Sequence, residues 1–298
     1  MRQRMSDIQA IWRGVVMLDP PQSGETNMAI DEALIRNAKP EWPIVMRVYE
    51  WDRPTLSLGH FQSLSDRDAD ARLRELPWVR RMTGGGAIVH DHEITYSILI
   101  PDRHETRSKG HSEILYRAIH ESVAEGLRTL GWKARMSEEC TCSSSISQKT
   151  VFFQCFLRRS PVDLIVGGYK VLGSAQRRTA AGLLQHGSLL IHHSPTTPKV
   201  LGLVDLINQS AMSEKANPVG FTENQGAQMS LRRFNNSYAY LSGESLMTNQ
   251  DVQFQREPEW TTFLVTTLKQ GVARLFQCEW EKANESNFPD WIGLRSVR

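Results

Sequence analysis

The chain has 298 residues, 40% of them hydrophobic and 23% charged, and 35 Lys and Arg against 33 Asp and Glu leave a formal net charge of +2. That length and balance suit a soluble globular protein with a sizeable core and exclude a fibrous or disordered chain. The near-neutral total excludes a general nucleic-acid or membrane-surface binder, no apolar run is long enough to span a bilayer, and the first twenty residues lack the apolar core of a secretory signal, so a cytoplasmic protein is expected.

In chain order, residues 25–38 place Met28, Ala29, Ala33 and Leu34 at helical spacing, with Thr26 and Asn27 as candidate caps. The segments IVMRVYEW and TLSLGHF are rich in β-branched and aromatic residues and are interrupted by Pro54, which predicts two strands around a turn. WVRRMTGGGAIVHDHEITYSILIP then predicts a strand, a glycine turn, a second strand, a turn at Asp91 and His92, and a third strand, together a meander. Ile114, Leu115, Ala118, Ile119, Val123 and Leu127 predict a helix from Ser112 to Leu130, stopped by Gly131, that covers the sheet.

WKARMS and VFFQCF read as strands on either side of a Ser-rich loop, DLIVGGYKVLGSAQRR as a hairpin turning at Gly167 and Gly168, and GLLQHGSLLIHH as a further strand. Residues 208–256 are polar with little periodicity, which predicts loops or a partly disordered insertion. Phe263, Leu264, Leu268, Val272 and Leu275 predict a closing helix. The fold class expected is α+β: one large mixed or antiparallel sheet with packed helices, divided into a main domain at 1–207, the polar segment at 208–256 and a C-terminal helical appendage at 257–298.

Four cysteines, Cys140, Cys142, Cys155 and Cys278, are too sparse for a disulfide framework, so reduced thiols are expected. Cys140 and Cys142 are separated by one residue, closer than structural zinc sites allow, and no matching pair follows, so no metal site is expected.

Three constellations carry chemistry. Arg81, Thr83, Gly84, Gly85, Gly86, Ala87 and His90 form a triple-glycine turn whose backbone amides can approach a ligand closely; the plainer reading is a tight hairpin with a structural histidine. Cys155 precedes Lys170 by fifteen residues, and an ammonium beside a thiol favours the nucleophilic thiolate; the plainer reading is a packed thiol between Phe153 and Phe156, and a solvated lysine. Gly173, Ser174, Ala175 and Gln176, followed by His186 and Gly187, admit a narrow ligand against the backbone; Arg177 and Arg178 are otherwise ordinary surface charges.

Taken in order, RRMTGGGAIVHDHEITYSI, DLIVGGYKVLGSAQRR and LLQHGSLLI resemble the catalytic core of the biotin/lipoate protein-ligase superfamily over residues 25–195. Within it the chain looks like the cysteine octanoyltransferases that load glycine-cleavage H protein, because Cys155 stands fifteen residues before the lysine of GGYK. The resemblance implies the superfamily's catalytic-domain fold, shared with class II aminoacyl-tRNA synthetases. It also implies that Cys155 takes an octanoyl group from octanoyl-acyl carrier protein as a thioester, which a lysine of the lipoyl-type acceptor attacks. Lys170 would lower the thiol's pKa, and residues Thr83 to His90, Gly173 to Gln176, His186 and Gly187 would line the acyl pocket, with Arg81 among the binding residues.

No cofactor is implied for transfer, whereas the competing ATP-dependent lipoate or octanoate ligase on the same fold would need ATP and Mg2+. The same fold would also suit an octanoyl amidotransferase acting between lipoyl domains, or a non-catalytic acyl-protein binding module. Both partners are expected to be acidic domains, which would meet a local basic patch at Arg158, Arg159, Arg177 and Arg178.

Overall fold

A computed structural model of the chain describes residues 11–103, 111–139, 153–207 and 258–282. Cys140, Cys142 and the polar segment 208–256 lie outside these. Eight strands form the main sheet: β1 (Trp12–Leu18), β2 (Ile44–Tyr49), β6 (Glu93–Pro101), β7 (Arg135–Met136), β8 (Leu164–Val166), β9 (Tyr169–Arg178), β10 (Gly182–Leu190) and β11 (Cys278–Lys282). Their order is β11-β1-β2-β6-β10-β9-β8-β7. β11, β1 and β2 run parallel and the remaining pairs antiparallel, so the sheet is mixed.

Both faces of the central strands are covered, so β2, β6 and β10 are buried at every position. On one face Met46, Val48, Ile98 and Ile100 pack against Ile119, Val123 and Leu127 of α3 (His111–Thr129) and Trp260, Leu264, Leu268 and Val272 of α4 (Pro258–Ala273). Both helices follow the predicted 3.6-residue periodicity. On the other face Val15, Met17, Val45, Leu99 and Leu184 meet Ile30, Leu34 and Ile35 of α1 (Gly24–Asn37). The cap of α1 is Ser23, whose hydroxyl accepts from Thr26 N at 3.2 Å, rather than Thr26 or Asn27. Asn27 instead donates its side-chain amide to the Glu50 carbonyl.

The predicted meander is overturned. β3 (Thr55–Leu58), β4 (Trp78–Arg80) and β5 (Ile88–His90) form a separate sheet in the order β4-β3-β5, with β4 parallel and β5 antiparallel to β3 and the short helix α2 (Ala71–Arg74) between β3 and β4 in the chain. The triple glycine therefore crosses from one edge of this sheet to the other instead of closing a hairpin, and β2 and β3 part into different sheets. Alternating apolar residues identify strands but carry no information on which strand each will pair with.

VFFQCF is a second correction: from Phe153 onward it is no strand. Gln154 makes an isolated bridge to Ala87, and Cys155–Leu157 is a single 3-10 turn. Its aromatic residues carry strand propensity, but only one backbone partner is available. The hairpin β8–β9 forms as predicted, closed by Gly167 and Gly168 at φ 56° and 86°. β11 had no signal in the sequence; it follows α4 and adds to the edge of the main sheet beside β1. Among the described residues no helix is long and apolar enough to cross a membrane.

Candidate active site

Cys155 is placed by the backbone on both sides of it. Ala87 N donates to Phe153 O at 2.9 Å and Cys155 N to Ala87 O at 2.7 Å, while Gln62 Nε2 donates to Phe153 O at 3.1 Å. This clamps the cysteine turn against the glycine loop. Gly86 makes the approach possible: a Cβ there would stand 2.9 Å from Cys155 N.

Lys170 reaches the same point from β9. Its Nζ lies 3.6 Å from Cys155 Sγ and 2.9 Å from Asp163 Oδ2, with both charged side chains buried. Gly173 leaves room for the lysine, since a Cβ there would meet Lys170 Cε at 2.5 Å. Burial pushes the Asp163 carboxyl above its ordinary pKa, and the Lys170 charge works against that shift. Of the two described cysteines, Cys278 sits on β11 with its thiol pushed up to about 11 by burial, which suits packing rather than reaction.

A cavity opens beside Cys155. Its walls come from Met28 of α1, Tyr49 of β2, Trp51 after β2, Ile88 and His90 of β5, Gly173 to Ala175 of β9, and His186 to Ser188 of β10. Aromatic and aliphatic groups make one side apolar, and His90 stacks on Trp51 with ring centroids 3.8 Å apart.

Beneath the wall run two imidazole relays. His186 stands 2.6 Å from Thr83 Oγ1 and 3.1 Å from Asp31 Oδ2. Burial opposes charge on Asp31, but the His186 hydrogen bond and the Arg47 guanidinium hold its carboxyl below the ordinary value. His90 contacts Ser57 Oγ at 2.7 Å through Nε2 and Glu93 Oε1 through Nδ1. Burial lowers the His90 pKa, outweighing the Glu93 charge that would raise it. On the α3 side, His120 is pushed down to about 3 by burial, and its ring bridges Val162 O and Ser174 Oγ, each at 2.7 Å.

The structure gathers the sequence's candidates into one place, with a division of position among them. Arg81, Gly85, His90, Cys155, Gly173, Ser174, Ala175, His186 and Gly187 border the cavity. Lys170 stands behind Cys155. Thr83, Gly84, Gly86 and Ala87 lie one layer back: Thr83 holds His186, Gly84 and Gly86 accept from Arg81 at 2.8 and 2.7 Å, and Ala87 anchors the cysteine turn. Gln176 bonds Gln185 Oε1 and Ser112 O.

Sequence reasoning missed Met28, Tyr49, Trp51, Thr95 and Ser188 in the wall, and the carboxylates Asp31, Glu93 and Asp163 behind it. Asp163 alone had a usable signal, since it opens the hairpin segment that carries Lys170. Among the described residues no His, Cys, Asp and Glu cluster could hold a metal ion.

The sheet, its helices and a thiol paired with a lysine beside a largely apolar cavity define a class of α+β domain with a cysteine at the edge of a cavity. Comparison with known proteins makes this specific. The model of the lipoyl protein ligase A/B catalytic domain matches residues 23–217, and the chain belongs to that family.

It is 38% identical over 176 residues to octanoyltransferase LipM of Kyrpidia tusciae, covering 58% of this chain and 64% of that one. The Bacillus subtilis protein of the same name is 38% identical over 169 residues, 55% of this chain and 60% of its own. The chain thus spans under two thirds of the length of these relatives. That of Brevibacillus brevis is 32% identical over 220 residues, 68% and 77% of the two chains.

Among solved structures, a putative lipoate protein ligase from T. acidophilum superposes with a TM-score of 0.58 at 18% identity, covering 96% of this chain and 95% of that one. A lipoate-protein ligase A bound with ATP gives 0.54 at 16%, covering 97% and 96%. At such identities these two establish the fold alone.

Proposed function

We propose that the chain moves an octanoyl group from octanoyl-acyl carrier protein, through a thioester on Cys155, to a lysine of a lipoyl-type domain, with glycine-cleavage H protein the expected acceptor. The observation that carries this reading is Lys170 Nζ 3.6 Å from Cys155 Sγ at the edge of an apolar cavity. The names of the relatives support the acyl group and the reaction class.

In the first step the Cys155 thiolate attacks the octanoyl thioester carbonyl, and the carrier's thiol leaves as a thiolate that takes up a proton. In the second, the neutral amine of the acceptor lysine attacks the Cys155 thioester, sheds a proton, and releases Cys155 as thiolate. The acyl group arrives already activated, so this sequence draws on no ATP, Mg2+ or other cofactor. The apolar wall suits an eight-carbon chain.

Arg158 and Arg159 are exposed just beyond the cysteine turn, and Arg177 and Arg178 at the end of β9, a basic border suited to acidic donor and acceptor domains. A thiol that must stay reduced also suits the cytoplasm.

Incubation with octanoyl-acyl carrier protein followed by peptide mass spectrometry tests the proposal. One octanoyl group is expected on the Cys155 peptide, lost on adding acceptor domain and absent in Cys155→Ser. Acceptor acylation from free octanoate that requires ATP and persists in Cys155→Ser would overturn transfer in favour of ligation.

A further inference from the structure

Lys170 contacts Cys155 directly and Arg81 borders the same cavity, and the two cations differ in electrical state. Lys170 is already neutralised by Asp163 at 2.9 Å. Arg81 is 3% exposed, and its partners among the described residues are all uncharged: Ser57 O at 3.1 Å, Ser57 Oγ at 3.2 Å, Gly84 O at 2.8 Å and Gly86 O at 2.7 Å. Its Nε has no hydrogen-bond partner among them. Arg81 and Cys155 border the same cavity, and Gly86 joins them, its carbonyl on the guanidinium and its missing side chain leaving room for the Cys155 backbone.

A buried guanidinium without a counter-ion is costly. Preorganised charge of this kind is useful where negative charge develops during reaction. Burial pulls Arg81 down to about 10, and the Cys155 charge acts against that shift.

Among the described residues the closest carboxylate by hydrogen bonds is Glu93, three links away. Arg81 Nη1 donates to Ser57 Oγ, which contacts His90 Nε2 at 2.7 Å, and His90 Nδ1 contacts Glu93 Oε1. A carboxylate only accepts, so a neutral His90 donates from Nδ1 and accepts the Ser57 proton at Nε2. Thr95 and Ser188 also donate to Glu93 Oε1, at 2.6 and 2.9 Å.

We propose that Arg81 supplies the uncompensated positive charge that favours the Cys155 thiolate and the oxyanion formed when it attacks a thioester, with Ser57, His90 and Glu93 as positioning residues that hold the guanidinium. The oxyanion half of this role rests on the proposed acyl transfer; the thiolate half does not need an acyl donor to be tested. Among the described residues, the other charged or titratable groups around the sulfur and its cavity are Lys170 and Asp163 from the β8–β9 hairpin, Tyr49 from β2, His90 from β5, His186 from β10 and Tyr116 from α3.

The experiment is alkylation of the full chain by iodoacetamide across pH, with the Cys155 peptide resolved by mass spectrometry. Arg81→Gln should slow alkylation at pH 7 about tenfold and raise the midpoint by ~1 pH unit. Glu93→Gln keeps the acceptor at Oε1 but removes the distal negative charge, so its midpoint should move the opposite way, downward.

An Arg81→Gln profile that superposes on wild type overturns the proposal. So does a Glu93→Gln midpoint that is unmoved or raised, and this second variant decides the matter if Arg81→Gln does not fold. Absence of octanoyl on Cys155 with these shifts intact would count against acyl transfer and leave the charge assignment standing.

Discussion

The two faces of the main sheet are made by the same strands and differ at every second residue. In β2, Met46 and Val48 turn to α3 and α4, whereas Arg47 and Tyr49 turn to α1; in β6, Ile98 faces the former and Ser97 the latter. The face under α3 and α4 is mostly hydrocarbon and is held by burial and close packing.

The face under α1 begins as hydrocarbon at Val45, Leu99 and Leu184, then becomes a buried polar network toward Cys155. There Arg47 bonds Asp19 at 2.7 Å and Asp31 at 3.0 Å, and Tyr49 and Ser97 donate to Asp31 at 2.9 and 2.8 Å. Such a network is retained at a cost in desolvation, and it fixes the position of side chains that the apolar face leaves to packing alone.

The largest expected effect breaks the polar face. Arg47→Met strands two carboxylates and should destabilise the chain by about 3–5 kcal/mol in urea unfolding. A loss below ~1 kcal/mol would mean that the α1 face does not act as one electrostatic unit. On the apolar face, Leu268→Ala removes a fully buried side chain and should cost about 3 kcal/mol. It should leave the Cys155 alkylation profile unchanged; a shifted profile would show that the two faces are coupled.

The smallest effect concerns the place where the α3 side turns polar. The folded-state pKa of His120, about 3, lies below the ordinary histidine value of 6.5, so the unfolded chain binds the extra proton between those values and stability falls as pH falls. From pH 7 to pH 5 this one group should remove about 2 kcal/mol, and His120→Gln should flatten that part of the slope. A slope unchanged by the substitution would assign the acid sensitivity to other groups.

Much of the fold was legible because its signals are local. The stripe Leu115, Ile119, Val123 and Leu127 requires a helix with one buried side, and Gly167-Gly168 between apolar runs requires a tight hairpin. That hairpin also brings Lys170 back toward the preceding chain, which is why the pairing with Cys155 could be expected. VFFQCF misled for the same reason: composition reports propensity, and the single bridge from Gln154 to Ala87 was decided elsewhere.

The sequence by itself thus determined which segments are helical or extended, which positions are apolar, and which cysteine stands in a lysine-bearing motif. Only the tertiary structure decided that β2 and β3 belong to different sheets, that Asp163 rather than solvent faces Lys170, and that Arg81 has no carboxylate beside it among the described residues. Periodicity acts over a few residues, whereas the partner of a buried charge is set by strand order and register, here across a separation as long as that from Asp31 to His186, 155 residues apart in the chain.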